Sequence, residues 1–132
     1  MRNAVIVAAG RSAIGSFGGS LASLSAVEIG TQVVSSLLEK AGLDAQQVDE
    51  VILGQVLAAG CGQNPARQTA IKAGLPSSTS AITINKVCGS GLKAVQMAVQ
   101  AIQLGDAEVV IAGGQESMWS AAHVLPNSRK VQ

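Results

Sequence analysis

The sequence predicts an α/β domain built on a mainly parallel β-sheet with helices on both faces. Three observations carry that prediction. Short apolar runs alternate with segments of helical periodicity, and the succession reads β-α-β-α-β-α-β. The helical segments open on capping signals and close on glycines. The first apolar run is continuous rather than alternating, as in strands buried on both sides. Repeated crossovers of one hand then build such a sheet.

Each element has its own justification. Residues 4–9 (AVIVAA) are the continuous apolar run and read as a strand. Residues 10–20, rich in glycine and serine, read as a loop. Ser25-Ala26-Val27-Glu28 is a capping box, serine at the cap and glutamate three residues on. The helix it opens carries Ile29, Val33, Val34, Leu37 and Leu38 on one face, and Gly42 caps its end. The next strand lies within residues 49–57 and includes Val51 to Leu53. Gly54 reads as a bend or bulge. Asn64-Pro65 starts a second helix, with the asparagine as cap and the proline at the first helical position. That helix ends at Gly74, and a turn follows. From Ala81 to Asn85, Ile82 and Ile84 alternate with Thr83 and Asn85, so the strand has two unlike faces. A third helix carries Leu92, Val95, Val99 and Ile102 at spacings of three and four, and stops at Gly105. Residues 108–112 are the last strand. Periodicity ceases near Trp119, which divides residues 1–118, the α/β domain, from an irregular tail at 119–132.

Composition excludes several functions. Of 132 residues, 48% are hydrophobic and only 2% aromatic, so Phe17 and Trp119 offer no platform for stacking bases. The net charge of +1 comes from scattered residues, without the basic stripe of a nucleic-acid binder. The run at 4–9 is too short to span a membrane, and Arg11 follows it. Cys61 and Cys88 form no C-x-x-C motif or disulfide framework, which fits a reducing, cytoplasmic compartment. No phosphate-loop or dinucleotide fingerprint occurs. The single His123 lies in the tail and cannot build a metal site alone.

The chemistry concentrates at Asn85-Lys86-Val87-Cys88-Gly89-Ser90-Gly91-Leu92. A thiol stands between a strand and a helix, at the helix end that favours anions. Gly89 and Gly91 clear side chains from beside the sulfur, and backbone N–H groups there can meet an oxyanion. Cys88 therefore reads as an acyl-accepting nucleophile, with its own N–H as an oxyanion donor. The plain alternative is a small buried hydrophobe at a helix start. Cys61, among glycines but before no oxyanion site, reads as structural. Gly113-Gly114, closing the last strand, reads either as a tight turn or as backbone packed beside the cysteine.

Residues 85–91 (NKVCGSG) resemble the nucleophile motif of the biosynthetic thiolases, the acetyl-CoA acetyltransferases. Residues 14–19 (IGSFGG), 62–68 (GQNPARQ) and 112–118 (AGGQESM) resemble further blocks of that family. The resemblance runs from residue 4 to about 128. It implies a fold that is half of an α-β-α-β-α sandwich, and a two-step acyl transfer through an acetylated Cys88. Acetyl-CoA, acetoacetyl-CoA and coenzyme A would be substrates, with no cofactor and no metal. It also implies a homo-oligomer, pairing through the strand from Ala81 to Asn85. The family's Gly-His-Pro histidine, Asn-Glu-Ala-Phe asparagine and Cys-x-Gly cysteine have no counterpart here, and neither does the strand that completes the sheet. The family's Arg-Thr-Pro is Arg11-Ser12-Ala13, Trp119 replaces a small residue, Ala122 replaces a proline, and the tail at 130–132 diverges. These departures imply a piece of a longer protein. Two alternatives stand beside the enzyme. One is a half-thiolase acting only in association. The other is a ketoacyl-synthase-type condensing enzyme, which the Cys88-Gly89-Ser90-Gly91 run disfavours.

Overall fold

A computed structural model describes residues 1–130; Val131 and Gln132 of the expected tail lie outside the described residues. The elements are α1 (Ala26–Ala41), β1 (Glu50–Gly54), α2 (Pro65–Lys72), β2 (Ser80–Ile84), α3 (Ser90–Leu104) and β3 (Val110–Gly114). Short 3-10 turns cover Ala45–Gln47 and Ser128–Lys130. The strands form one parallel sheet in the order β2-β1-β3.

The expected caps form. Ser25 Oγ accepts the Glu28 N–H at 3.1 Å, and Glu28 Oε2 accepts the Ser25 N–H at 2.7 Å. Gly42 closes α1 at φ 63. Asn64 caps α2 by accepting the Arg67 N–H at 3.2 Å, with Pro65 first in the helix.

The α2 crossover moves outward from β1 to β2, and the α3 crossover returns past β1 to β3. Two crossovers of one hand that travel in opposite directions place their helices on opposite faces. The core shows this division. Val51, Leu53 and Ile111 pack with Val34 and Leu38 of α1 and with Ala66 and Ala70 of α2. Ile52, between Val51 and Leu53, points the other way onto Ala94 and Ala98 of α3.

Two expectations are corrected. The first strand is absent, so the order begins with a helix. Residues 4–9 join no strand, and Val5, Ile6 and Val7 are 74%, 81% and 70% exposed. A strand needs a neighbour to take its N–H and C=O groups. Residues 4–10 instead line an open apolar trough of about 610 Å³ together with β3, α1 and α3. The α3 helix turns Ala94 and Ala98 to the sheet rather than its larger apolar residues; Leu92 is 79% and Val99 37% exposed. Small residues let the helix lie close to the sheet. The second correction is that Gly54 is no bulge. It pairs in register with Ile84 and Gly114 and ends β1 normally.

Candidate functional site

Parallel sheets place sites at the carboxyl ends of their strands, where adjacent crossovers diverge. Here β1 and β2 are neighbours whose following helices lie on opposite faces. The loop after β2, residues 85–89, carries Cys88 at that edge.

The first turn of α3 is seated on strand ends. A Cβ on Gly54 would lie 2.5 Å from Ser90 Cβ and 2.8 Å from the Ser90 carbonyl carbon. A Cβ on Gly114 would meet Gly91 Cα at 3.4 Å. Backbone thus lies against backbone at Gly114, beside Gly91 rather than Cys88, while a Cβ on Gly113 would meet only the Leu53 side chain at 3.9 Å.

The turn that presents Cys88 is held from both sides. Asn85 Oδ1 accepts the Val87 N–H at 2.9 Å. Ser90 Oγ accepts the Lys86 N–H at 2.8 Å and donates to the Val87 carbonyl at 2.6 Å. The Gly89 N–H donates to the Lys86 carbonyl at 3.0 Å and the Ser90 N–H to the Val87 carbonyl at 3.1 Å. Val87 itself has φ 49, a conformation that costs a β-branched residue about 1–3 kcal/mol. Among the described residues the Cys88 N–H meets no acceptor, and the cysteine is exposed. A free thiol and an unengaged N–H on one residue can attack a carbonyl and receive its oxygen.

The surrounding loops are fixed by buried polar groups. Thr69 Oγ1 donates to Gln115 Oε1 at 2.8 Å, Gln115 Nε2 to Gln55 Oε1 at 3.1 Å, and Gln55 Nε2 to the Leu57 carbonyl at 3.2 Å. The Glu116 carboxylate accepts the Val56 and Leu57 N–H groups at 2.8 and 3.2 Å. Residues 62–68 act on β2, the strand that delivers Cys88. Asn64 Nδ2 donates to the Ala81 carbonyl at 3.0 Å, and Arg67 donates to the Thr79 and Ser77 carbonyls at 2.6 and 2.9 Å.

The other sequence candidates stand apart. Cys61 is half-buried in the loop after β1, its sulfur 3.4 Å from Gln55 Nε2. His123 is exposed in the segment after β3. Among the described residues no cluster of three potential metal ligands occurs, and no helix is long and apolar enough to cross a membrane. Ser90 and Glu116 were not singled out by sequence reasoning, though Ser90 lies in the 85–91 motif and Glu116 in the 112–118 block.

Residues 4–132 match the family model described as thiolase, N-terminal domain. The chain belongs to the thiolase family. It is 70% identical over 130 residues to an acetyl-CoA acetyltransferase of Allochromatium vinosum, covering 98% of this chain and 33% of that relative. It is 64% identical to the acetyl-CoA acetyltransferase of Cupriavidus necator, covering 98% and 33%. The Acat5 thiolase from Ascaris suum, solved in complex with coenzyme A, superposes with a TM-score of 0.94 at 43% identity, covering 96% of this chain and 33% of that one. The fold is therefore α/β, part of the thiolase fold, and the chain spans about a third of the length of the thiolases it matches.

Proposed function

We propose that this chain is the nucleophile-bearing N-terminal portion of an acetyl-CoA C-acetyltransferase that works through an acetyl-Cys88 intermediate. The observation that carries the reading is the exposed Cys88 beside its own unengaged N–H, in a chain 70% identical to an acetyl-CoA acetyltransferase. The Cys88 thiolate attacks the thioester carbonyl carbon of acetyl-CoA. A sulfur–carbon bond forms, and the carbonyl oxygen becomes an oxyanion to which the Cys88 N–H donates. The oxyanion collapses and expels the coenzyme A thiolate, which takes up the proton that Cys88 lost. A second acetyl-CoA, deprotonated at its methyl carbon, then attacks the acetyl group, releasing acetoacetyl-CoA and the Cys88 thiolate.

The bases for these transfers and the groups that hold coenzyme A are assigned to the rest of a longer protein. His123 lies in the exposed segment after β3, and Cys61 points at Gln55. No cofactor enters this scheme, and the cytoplasm is its compartment. Residues 1–118 are the folding unit, and 119 onward opens the next part of the protein. A homodimer through residues 81–85 is supported by the position of β2 at the sheet edge, with Ile82 40% exposed. An association role without chemistry is a second reading, favoured by the exposed Leu92 and Val99 on α3.

Consumption of acetoacetyl-CoA in the presence of free coenzyme A tests the proposal, followed by loss of enolate absorbance. The chain alone should not turn over, since each absent base is worth about 10²–10⁴-fold. Addition of a polypeptide bearing the remaining family motifs should give turnover that Cys88→Ala abolishes. Turnover that survives Cys88→Ala in that mixture refutes the acyl-cysteine reading.

A further inference from the structure

We propose, resting on the acyl-transfer reading above, that Ser90 is the positioning residue of the nucleophile turn: its hydroxyl holds Val87 in the left-handed conformation that leaves the Cys88 N–H free for an acyl oxygen. Ser90 is 4% exposed. Its hydroxyl uses both its donor and its acceptor capacity on the turn, at 2.6 Å to the Val87 carbonyl and 2.8 Å from the Lys86 N–H. It does not cap its own helix, for α3 has no side-chain cap bond. Asn85 ties the other side of Val87 at 2.9 Å. The peptides before and after Val87 are thereby fixed.

The strain that these bonds hold is specific. Among the described residues, those other than glycine with positive φ are Asn64, Val87 and Asn127. Asparagine tolerates that region, whereas valine persists there only where its surroundings over-determine it. The turn stands directly before the thiol. If the Val87 peptides relax, the sulfur remains exposed but the Cys88 N–H rotates away from the carbonyl oxygen.

The two functions of Cys88 can be read separately. Acetylation builds an oxyanion and needs the N–H. Alkylation by iodoacetamide displaces iodide at a methylene carbon and builds none. Ser90→Ala keeps the Cβ that rests on Gly54 and removes only the hydroxyl. The purified chain is treated with p-nitrophenyl acetate or with iodoacetamide over a range of pH, and modification of Cys88 is read by peptide mass. We expect Ser90→Ala to slow acetylation about 10²-fold, as for one lost oxyanion donor or about 1 Å of misplacement. Alkylation should stay within about twofold, since displacement at a methylene carbon calls on the exposed sulfur and not on the N–H. Asn85→Ala, at an exposed position, should lower acetylation in the same direction, and it carries the test if Ser90→Ala does not fold.

Acetylation at the wild-type rate in both variants overturns the proposal. So does an equal loss with both probes, which would mean a general structural role. A wild-type chain that iodoacetamide labels at Cys88 but p-nitrophenyl acetate does not would sink the acyl-transfer reading, and the proposal with it.

Discussion

Gly54→Ala is the sharpest test of how this site is built. The added Cβ would sit 2.5 Å from Ser90 Cβ, 2.8 Å from the Ser90 carbonyl carbon and 3.0 Å from the Gly91 nitrogen. Carbon atoms in contact prefer about 3.5–4.0 Å, so the overlap is about 1 Å. Neither side can yield easily. Gly54 is paired to Ile84 on one side and Gly114 on the other, and the obstacles are a helix backbone and a Cβ rather than the end of a flexible side chain. Overpacking of this kind costs about 1–3 kcal/mol, and a backbone obstacle places it near about 3 kcal/mol. For a domain of this size that lowers Tm by about 10 °C. The start of α3 should move away from the strand ends, carrying Cys88 with it, and acetylation of Cys88 should fall about 10²-fold. Urea unfolding followed by circular dichroism gives the stability, and p-nitrophenyl acetate the reactivity. Gly42→Ala is the control. It has φ 63 with nothing within 4 Å of the added Cβ, so it should cost about 1–2 kcal/mol from the left-handed backbone alone and leave Cys88 untouched. A Gly54→Ala chain within about 0.5 kcal/mol of wild type would refute the close seating of α3 on β1.

Two further outcomes follow from the fold. The Asp49 carboxylate accepts the Val109 N–H at 3.0 Å and the Glu108 N–H at 2.7 Å, and these bonds hold its pKa below the ordinary carboxylate value, as the Ser25 N–H does for Glu28. A lowered folded-state pKa stabilises above the unfolded value and is lost as pH falls through the folded one, so stability should decline below about pH 4; Asp49→Ala should flatten that decline in acid titrations, and an unchanged profile counts against the clamp. The free edge of β2 should pair two copies, so sedimentation at micromolar concentration should give a dimer, and a monodisperse monomer would contradict it.

What the sequence made legible was whatever depends on neighbours in the chain. The Ser25–Glu28 box, the Asn64-Pro65 start and the glycine stop at Gly42 are local bonds, and each formed where the spacing placed it. Residues 4–9 failed for the opposite reason. Their composition suits a buried strand, but a strand exists only beside another, and periodicity carries no information about whether that partner is present. The packing of α3 was hidden for a related reason. Leu92, Val95, Val99 and Ile102 share a face, yet Ala94 and Ala98 fit closer to the sheet, and alanine gives a weak hydrophobic signal. An apolar stripe shows that something covers it in the assembled protein, not which layer does.

The site follows the same division. Cys88 stood out in the sequence because a thiol before Gly89-Ser90-Gly91 at a helix start has a bare approach, all within a few residues, and the structure leaves that thiol exposed. Gly54 was misread because its cause lies 36 positions away at Ser90, by their numbers in the chain. Yet Gly54, Gly91 and Gly114 meet at one place, with the tight approach at Gly54. They come from β1, α3 and β3, and each lacks a side chain where the start of α3 meets the strand ends. An exposed nucleophile cannot be fixed by burying it, since burial would exclude the substrate. It can be fixed by seating the backbone that carries it, and at Gly54, where a Cβ would lie 2.5 Å from Ser90 Cβ, only glycine allows so close an approach. Ser90 completes the arrangement: its Cβ rests on Gly54, and its hydroxyl reaches back to the turn. Rigidity at Cys88 is thus supplied from beneath the helix, while the side facing solvent stays open, as the proposed acyl transfer requires.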